Sequence, residues 1–350
     1  MAEMTLNKII LQIDECVPGM VLMQSVMDEK TGTTIVSKGQ VLTQEIIDKL
    51  GNFETTQIWI SLEVPTSQNE ETVWKVDEKT FKTYQGYAKL LETIFKEQKS
   101  KVCLSIDKVI EITESIMNEF EDCYSLLSCI NLLNQMKQDE YMHCVNVACT
   151  AFVLGKWLNY DTATLKDIVI ASLLHDVGKL DINPILFDKK EKEMSDMERL
   201  EYRRHPICGY EKLVPYNELN VNVLKGILLH NERCDGSGFP LCLRANRIVD
   251  IAKVIAIADT YNELRNNHHI FEIVKILETK MIRKLDATML FRFCNNIMNY
   301  YIGAKVKLND GKVGEIVFIQ SQVLHRPIIE VQGEYINLCD KAHLEIVKVI

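Results

Sequence analysis

Four histidines, His143, His175, His205 and His230, follow one another at gaps of 32, 30 and 25 residues, and Asp259 comes 29 residues later. A helix with its connection takes roughly 20–30 residues. The spacing therefore predicts one ligand-type side chain on each successive helix, which is how a helical bundle builds a metal site in its core. In Leu173-Leu174-His175-Asp176-Val177-Gly178-Lys179 two polar residues directly follow an apolar helical stretch. Adjacent helical residues project about 100° apart, so His175 and Asp176 cannot address one ion in the same manner. They can serve two ions if Asp176 bridges with both carboxylate oxygens. Neutral imidazole with carboxylate suits Fe, Mn or Zn. Two such ions roughly 3.5–4 Å apart suit in-line attack on a phosphate ester, because they generate the nucleophile and clamp the charged oxygens.

Taken singly, each of these residues has a plainer reading. A lone histidine on an apolar helix is more often a hydrogen-bonded core residue. Asp259, in Ile257-Ala258-Asp259-Thr260-Tyr261, could cap a helix end, and His205-Pro206 could mark a helix start with proline in the first turn. Taken as a set in apolar surroundings, they favour the metal site. Burying so many polar groups without a partner would cost several kcal/mol.

Four segments carry a resemblance: His175-Asp176-Val177-Gly178-Lys179, His205-Pro206-Ile207-Cys208-Gly209-Tyr210, the run from His230 to Pro240, and Ala258-Asp259-Thr260-Tyr261. Over about 126–300 their order resembles the HD-GYP domain, a branch of the HD superfamily of metal-dependent phosphohydrolases. The resemblance implies an all-α domain with two divalent ions, Fe or Mn, that hydrolyses cyclic di-GMP to pGpG or GMP. By position it implies a first ion on His143, His175, Asp176 and Asp259. The second would be held by Asp176 as the bridge, His205 and His230. Asp176 and Lys179 would be catalytic, with Lys179 orienting the phosphate or protonating the leaving group, and Arg233 would join Lys179 in offsetting substrate charge.

Three positions depart from that pattern. Where the family has two adjacent histidines, this chain has His230-Asn231, and an amide oxygen is a poorer ligand than imidazole for these metals. The second site is therefore expected to be weak. The signature Gly-Tyr-Pro is here Gly238-Phe239-Pro240. After Tyr261 the chain runs Asn262-Glu263-Leu264-Arg265-Asn266-Asn267-His268-His269, a segment shorter and poorer in arginine than the family's nucleotide-binding stretch. Asp139 stands four residues before His143, where three-metal relatives carry Glu; it reads either as a ligand to a third ion or as a solvated acid in a first helical turn. A non-catalytic signalling regulator or scaffold, or a hydrolase of another nucleotide, are the alternatives to a cyclic di-GMP phosphodiesterase.

The elements that must position these residues follow from the change of hydrophobic period. Residues 8–62 alternate as strands around one short helix, 44–50, with Thr43 as its N-cap and Gly51 as its stop. Strands are expected to pair between 20–26 and 33–36. Phe81, Tyr84, Tyr87, Leu91, Ile94 and Phe95 lie on one helical stripe, as do Ile106, Val109, Ile110, Ile112 and Ile116. After Gly303 short alternating runs flank Asn309-Asp310-Gly311, a hairpin signal. The expected class is mainly α: an α+β module at 1–65, a linker and helical segment at 66–125, the helical domain at 126–300, and a small β module at 301–350.

The 350 residues are 47% hydrophobic and 25% charged, which excludes a wholly disordered or fibrous chain. A net charge of -9 repels a phosphate backbone, so no DNA or RNA partner is expected. A small nucleotide remains compatible where basic side chains cluster, as do a homodimer and a protein signalling partner. Eleven cysteines, odd in number and without a Cys-x-x-Cys pair, read as reduced buried thiols. No basic-then-apolar leader and no run near 18 apolar residues are found, so the expected location is cytoplasmic with no membrane span.

Overall fold

The computed structural model describes residues 8–13, 16, 20–22, 26–27, 34–36, 40, 42–51, 57–61, 78–99, 104–119, 139–189 and 191–350. The linker expected within 63–72 and the first part of the helical domain, 126–138, lie outside the described residues. The chain forms two compact units, Val73–Ile297 and the pair of end segments Met1–Thr72 with Met298–Ile350.

The larger unit is helical. In α1 (Gln44–Leu50, of the end-segment unit) the N-cap contact is Ile46 N donating to Thr43 Oγ1 at 3.3 Å; the helices of the larger unit then follow. Helix α2 (Glu78–Lys99) buries Tyr84, Tyr87, Leu91, Ile94 and Phe95, and α3 (Ile106–Glu119) buries Ile106, Val109, Ile112 and Ile116. Helices α4 (Glu140–Trp157) and α5 (Thr162–Leu174) are apolar around most of their circumference and form the centre of the bundle. Their N-termini are closed by Asp139, accepting from Met142 N at 2.8 Å, and Asp161, accepting from Thr164 N at 2.7 Å. A tight turn, Val177–Asp181, leads through Pro184–Asp188 to α6 (Asp196–Tyr202), which a Ser195–Glu198 capping box opens. Then come α7 (His205–Leu213), α8 (Val221–Leu229), α9 (Asp250–Arg265), α10 (Ile270–Ile276) and α11 (Ala287–Asn299). Helix α4 packs on α5 and α9, and α8 packs on α5, α7 and α9. Between 140 and 260 no described residue is in a strand; there is a lone bridge, Asp235 with Arg244.

Two glycines allow the bundle to close near its polar end. A Cβ on Gly178 would run into His205 O and Gly209 N, so the turn at 177–181 lies directly on the start of α7. Gly238 likewise sits against the backbone of Asn231, Glu232 and Arg233.

In the end-segment unit, β5 (Gln57–Ser61) lies between β1 (Lys8–Gln12) and β2 (Val21–Leu22), both antiparallel to it. The strands expected to pair across 28–32 are thus divided. Only β3 (Val26–Met27) pairs with β4 (Thr34–Val36), while Val21 and Leu22 pair with Ser61 and Ile60. The uninterrupted apolar run of β5 reads as a central strand, which needs partners on both edges. Strands β6 (Lys305–Leu308) and β7 (Val313–Phe318) form the expected hairpin, with Gly311 at φ 90° in the turn. With β8 (Ile328–Val331), β9 (Glu334–Asn337) and β10 (Ile346–Val349) they make one antiparallel sheet, ordered β10-β6-β7-β8-β9. Phe318 of β7 joins Cys16, Leu22, Val26, Val36, Leu42, Ile47, Leu50 and Ile58 in one buried cluster, so the two chain ends share a core. No described helix is long and apolar enough to cross a membrane. Among the described residues Cys144, Cys208 and Cys294 are buried thiols as expected, whereas Cys242 is exposed.

Candidate metal centre

Helix ends supply most of the polar cluster. His143 lies in the first turn of α4, His175 caps the C-terminus of α5, and Asp176 follows it into the turn that carries Lys179. His205 opens α7, His230 caps the C-terminus of α8, and Asp259 lies within α9. His175, His205 and His230 are each 1% exposed, whereas the His143 side chain retains 19% and stands on the solvent side.

The distances bring these residues together. His143 Nε2 is 3.1 Å from Asp259 Oδ1 and 3.9 Å from Asp176 Oδ2. Oδ2 of Asp176 also lies 3.2 Å from His175 Nε2 and 2.6 Å from Lys179 Nζ. The other oxygen, Oδ1, faces His205 Nε2 at 3.6 Å and His230 Nε2 at 3.9 Å. One carboxylate thus presents one oxygen to each pair of imidazoles. Donor atoms of His143, His175 and Asp259 lie within 4.8 Å of one another, and so do those of Asp176, His205 and His230.

The imidazole tautomers follow from the backbone. Nδ1 of His175, His205 and His230 meets the carbonyl oxygen three residues earlier, at 2.7, 2.8 and 2.7 Å respectively. A carbonyl only accepts, so Nδ1 carries the proton and Nε2 turns its lone pair inward. Nε2 of His175 is buried without a hydrogen-bond partner. A buried imidazole nitrogen held 3.2 Å from an anionic oxygen is a place that favours a cation, whether a proton or a metal ion, so the donor set fits a divalent metal ion.

Electrostatics support neutral rings at His205 and His230, whereas the Asp176 carboxylate draws a proton onto His175 until a metal ion takes its place. Burial pushes the His205 pKa down to about 4 and the His230 pKa down to about 3, so both rings are neutral near pH 7. Burial alone would raise the Asp176 pKa, but His175 and Lys179 hold it well below the carboxylate range. Asp259 is depressed too, its burial outweighed by the hydrogen bond from His143. Burial disfavours charge on Lys179 and His175, yet Asp176 raises both pKa values above their ordinary range.

Other residues sit where the sequence alone does not place them. Asp139 is spent on its N-cap and is not part of the cluster. Arg233 Nη1 donates to His230 O at 3.3 Å and Glu232 O at 3.0 Å, so the guanidinium is tied to the backbone of its own loop. Cys144 comes within ligand range of His175 and Asp176. Its only sequence signal is its adjacency to His143. Glu232, 2% exposed, accepts from Leu241 N at 2.6 Å and Leu243 N at 2.8 Å and so shapes the loop holding Phe239. Phe239 stands edge-on to His205 at 5.9 Å, with the Arg203 guanidinium 5.3 Å over its ring. Asn231 Nδ2 lies 3.0 Å from His205 Nε2 and 2.7 Å from His230 Nε2.

Three buried imidazoles and two carboxylates thus converge within the helical bundle as a set that could hold a metal ion. Residues 128–278 match the family model described as the HD domain. Similar curated proteins include a cyclic di-GMP phosphodiesterase of Pseudomonas aeruginosa, 28% identical over 233 residues that cover 64% of this chain and 54% of the relative. Another, from Borreliella burgdorferi, is 25% identical over 198 residues, 54% of this chain and 51% of the relative. A 3'3'-cGAMP-specific phosphodiesterase of Vibrio cholerae is 27% identical over 179 residues, 49% and 41%. The chain spans about half the length of the curated relatives it matches. Among solved structures, an HDG"Y"P protein of Bdellovibrio bacteriovorus shares the fold at a TM-score of 0.52 and 15% identity, over 83% of this chain and 99% of that one.

Proposed function

We propose that this chain is a divalent-metal phosphohydrolase acting on a cyclic dinucleotide. The observation that carries the proposal is the division of the Asp176 oxygens between two groups of imidazoles, with Lys179 Nζ 2.6 Å from Oδ2. In this proposal His143, His175, Asp176 and Asp259 hold a first ion, Fe or Mn, and His205 and His230, on the other oxygen of Asp176, form a second and weaker position. Bound there, the metal supplies Lewis acidity toward water and the phosphate oxygens. The inward Nε2 lone pairs, fixed by the Nδ1 contacts to the backbone, hold the ligand geometry. Lys179 holds a proton above the carboxylate, placed to orient a phosphate oxygen or protonate the leaving alkoxide. Relatives named as cyclic di-GMP and 3'3'-cGAMP phosphodiesterases point to the dinucleotide class. A regulator that binds such a nucleotide without cleaving it is the second reading, favoured by the contacts of Asn231 with two of the imidazoles.

The test incubates the full chain with cyclic di-GMP or 3'3'-cGAMP and Mn(II) or Fe(II), and follows linear product by chromatography. Metal-dependent cleavage, lost in Asp176→Ala, is the expected result. Tight nucleotide binding with no cleavage selects the regulator. Neither binding nor cleavage overturns both.

A further inference from the structure

An asparagine carboxamide carries two N–H donors on one nitrogen. The Asn231 nitrogen lies within hydrogen-bond distance of His205 Nε2, 3.0 Å away, and of His230 Nε2, 2.7 Å away. Both rings have already committed Nδ1–H to carbonyls, of Tyr202 and Ile227. Both Nε2 atoms therefore present lone pairs, and the amide has one hydrogen for each. The opposite amide orientation would set an oxygen against two lone pairs, so the network fixes which end points inward.

The other half of the centre contrasts with this one. His175 Nε2 is equally buried, also has Nδ1 on a carbonyl, and has no hydrogen-bond partner. One half of the centre is thus left with an unsatisfied nitrogen beside an anionic oxygen. The other half is satisfied from within the chain.

We infer that Asn231 is an internal plug: its amide occupies the lone pairs of His205 and His230, so that the centre binds one divalent ion and resists a second. The inference rests on the metal-centre reading above. It differs in sign from the view that Asn231 is merely a weak ligand. A second ion must break two hydrogen bonds to a protein donor before it reaches either imidazole. Asn231→Ala removes those donors without adding a ligand, so it should open the second site. If Asn231 served the ion through its oxygen, the same change would weaken it.

The experiment uses the full chain, stripped of metal, dialysed against Mn(II) and analysed for metal per chain by mass spectrometry. We expect about one Mn per wild-type chain and a rise toward about two in Asn231→Ala, the occupancy of a dinuclear site. The second Mn should bind on the order of 10–100-fold more tightly in the variant, the scale at which supporting contacts tune metal affinity. Asn231→Ala binding no more Mn than wild type, or less, overturns the plug. No Mn in either protein overturns the metal-centre reading itself, which His175→Ala checks separately by losing the first ion.

A wild-type measurement keeps the inference exposed should the variant misfold. Nitrogen NMR of labelled histidine should show His205 and His230 as Nδ1–H tautomers whose Nε2 signals stay in place as the first equivalents of Zn(II) shift His175. Movement of His205 and His230 with those first equivalents overturns the plug.

Discussion

The His175 imidazole makes the sharpest prediction, because its buried Nε2 makes no geometrically sound hydrogen bond and faces the Asp176 carboxylate at 3.2 Å. Truncating a buried ring usually costs packing, yet here it also removes a buried unsatisfied nitrogen, which itself costs roughly 1–3 kcal/mol. His175→Ala should therefore lose bound Mn(II) while the metal-free protein melts close to the wild-type temperature. A large drop in metal-free melting temperature with metal retained would identify His175 as a structural residue. Lys179 makes a different prediction. Its ammonium touches Asp176 without being a metal donor, so Lys179→Met should keep its metal and lose turnover by on the order of 10²-fold or more, as expected for a lost proton donor. Unchanged kcat at unchanged metal content would remove Lys179 from the chemistry. The spacing of His143, His175, His205, His230 and Asp259 was legible because one polar residue per apolar helix is costly unless the residues meet. Asn231, Glu232 and Cys144 were not legible in that way. Their roles depend on which way an amide, a carboxylate and a thiol point, and that is set by the loop after α8 for Asn231 and Glu232 and by the packing of α4 for Cys144 rather than by periodicity.

Helices were readable where a cap and a stop marked them, as at 44–50, or where an apolar stripe did, as at 106–119. Strand pairing at 20–26 was not readable, because two short strands in sequence took different partners, and the choice depends on where β5 runs. The turn at 177–181 shows how an element positions the centre. A Cβ on Gly178 meets backbone atoms of His205 and Gly209, which cannot move aside as a side chain would. Gly178→Ala should cost about 1–3 kcal/mol by overpacking and displace His205. The check is a denaturation midpoint beside a metal analysis; full stability would show that the turn has room to shift. Helix α6 carries a pH prediction. Glu198 is bonded by Lys189 and by both the backbone and hydroxyl of Ser195, which lowers its pKa from 4.5 to about 2. A depressed carboxylate stabilises the folded form above its unfolded pKa, and that stabilisation is lost as pH falls through the folded value. Hydrogen exchange of the α6 amides, compared at matched intrinsic rates, should therefore accelerate between about pH 4.5 and pH 2. In Glu198→Gln the acceleration should be absent. Equal pH dependence in both proteins would detach the capping box from α6 stability.

For the whole molecule, the telling feature is that the two end segments share one core although the whole unit Val73–Ile297 separates them in sequence. The sequence marks each end by its own alternating runs, but nothing in two separate period-2 patterns says that they pack together; that information lies in which side chains reach across. Phe318 does so, and the half-buried Ile328 packs against the same cluster. Phe318 is 7% exposed, belongs to β7, and packs with Leu22, Val26, Leu42, Leu50 and Ile58 of the first segment. Removing a buried phenyl ring costs about 3–5 kcal/mol where the cavity cannot collapse. Phe318→Ala should therefore loosen both ends together. Hydrogen exchange should rise in 42–51 and 57–61 as well as in 305–318, while α4 and α5, whose cores contain no residue of that cluster, keep their protection. Metal content of the central domain should be unchanged. If instead exchange rises only in 305–331 and the first segment stays protected, the N-terminal strands and α1 hold a core of their own, and the two ends are independent modules.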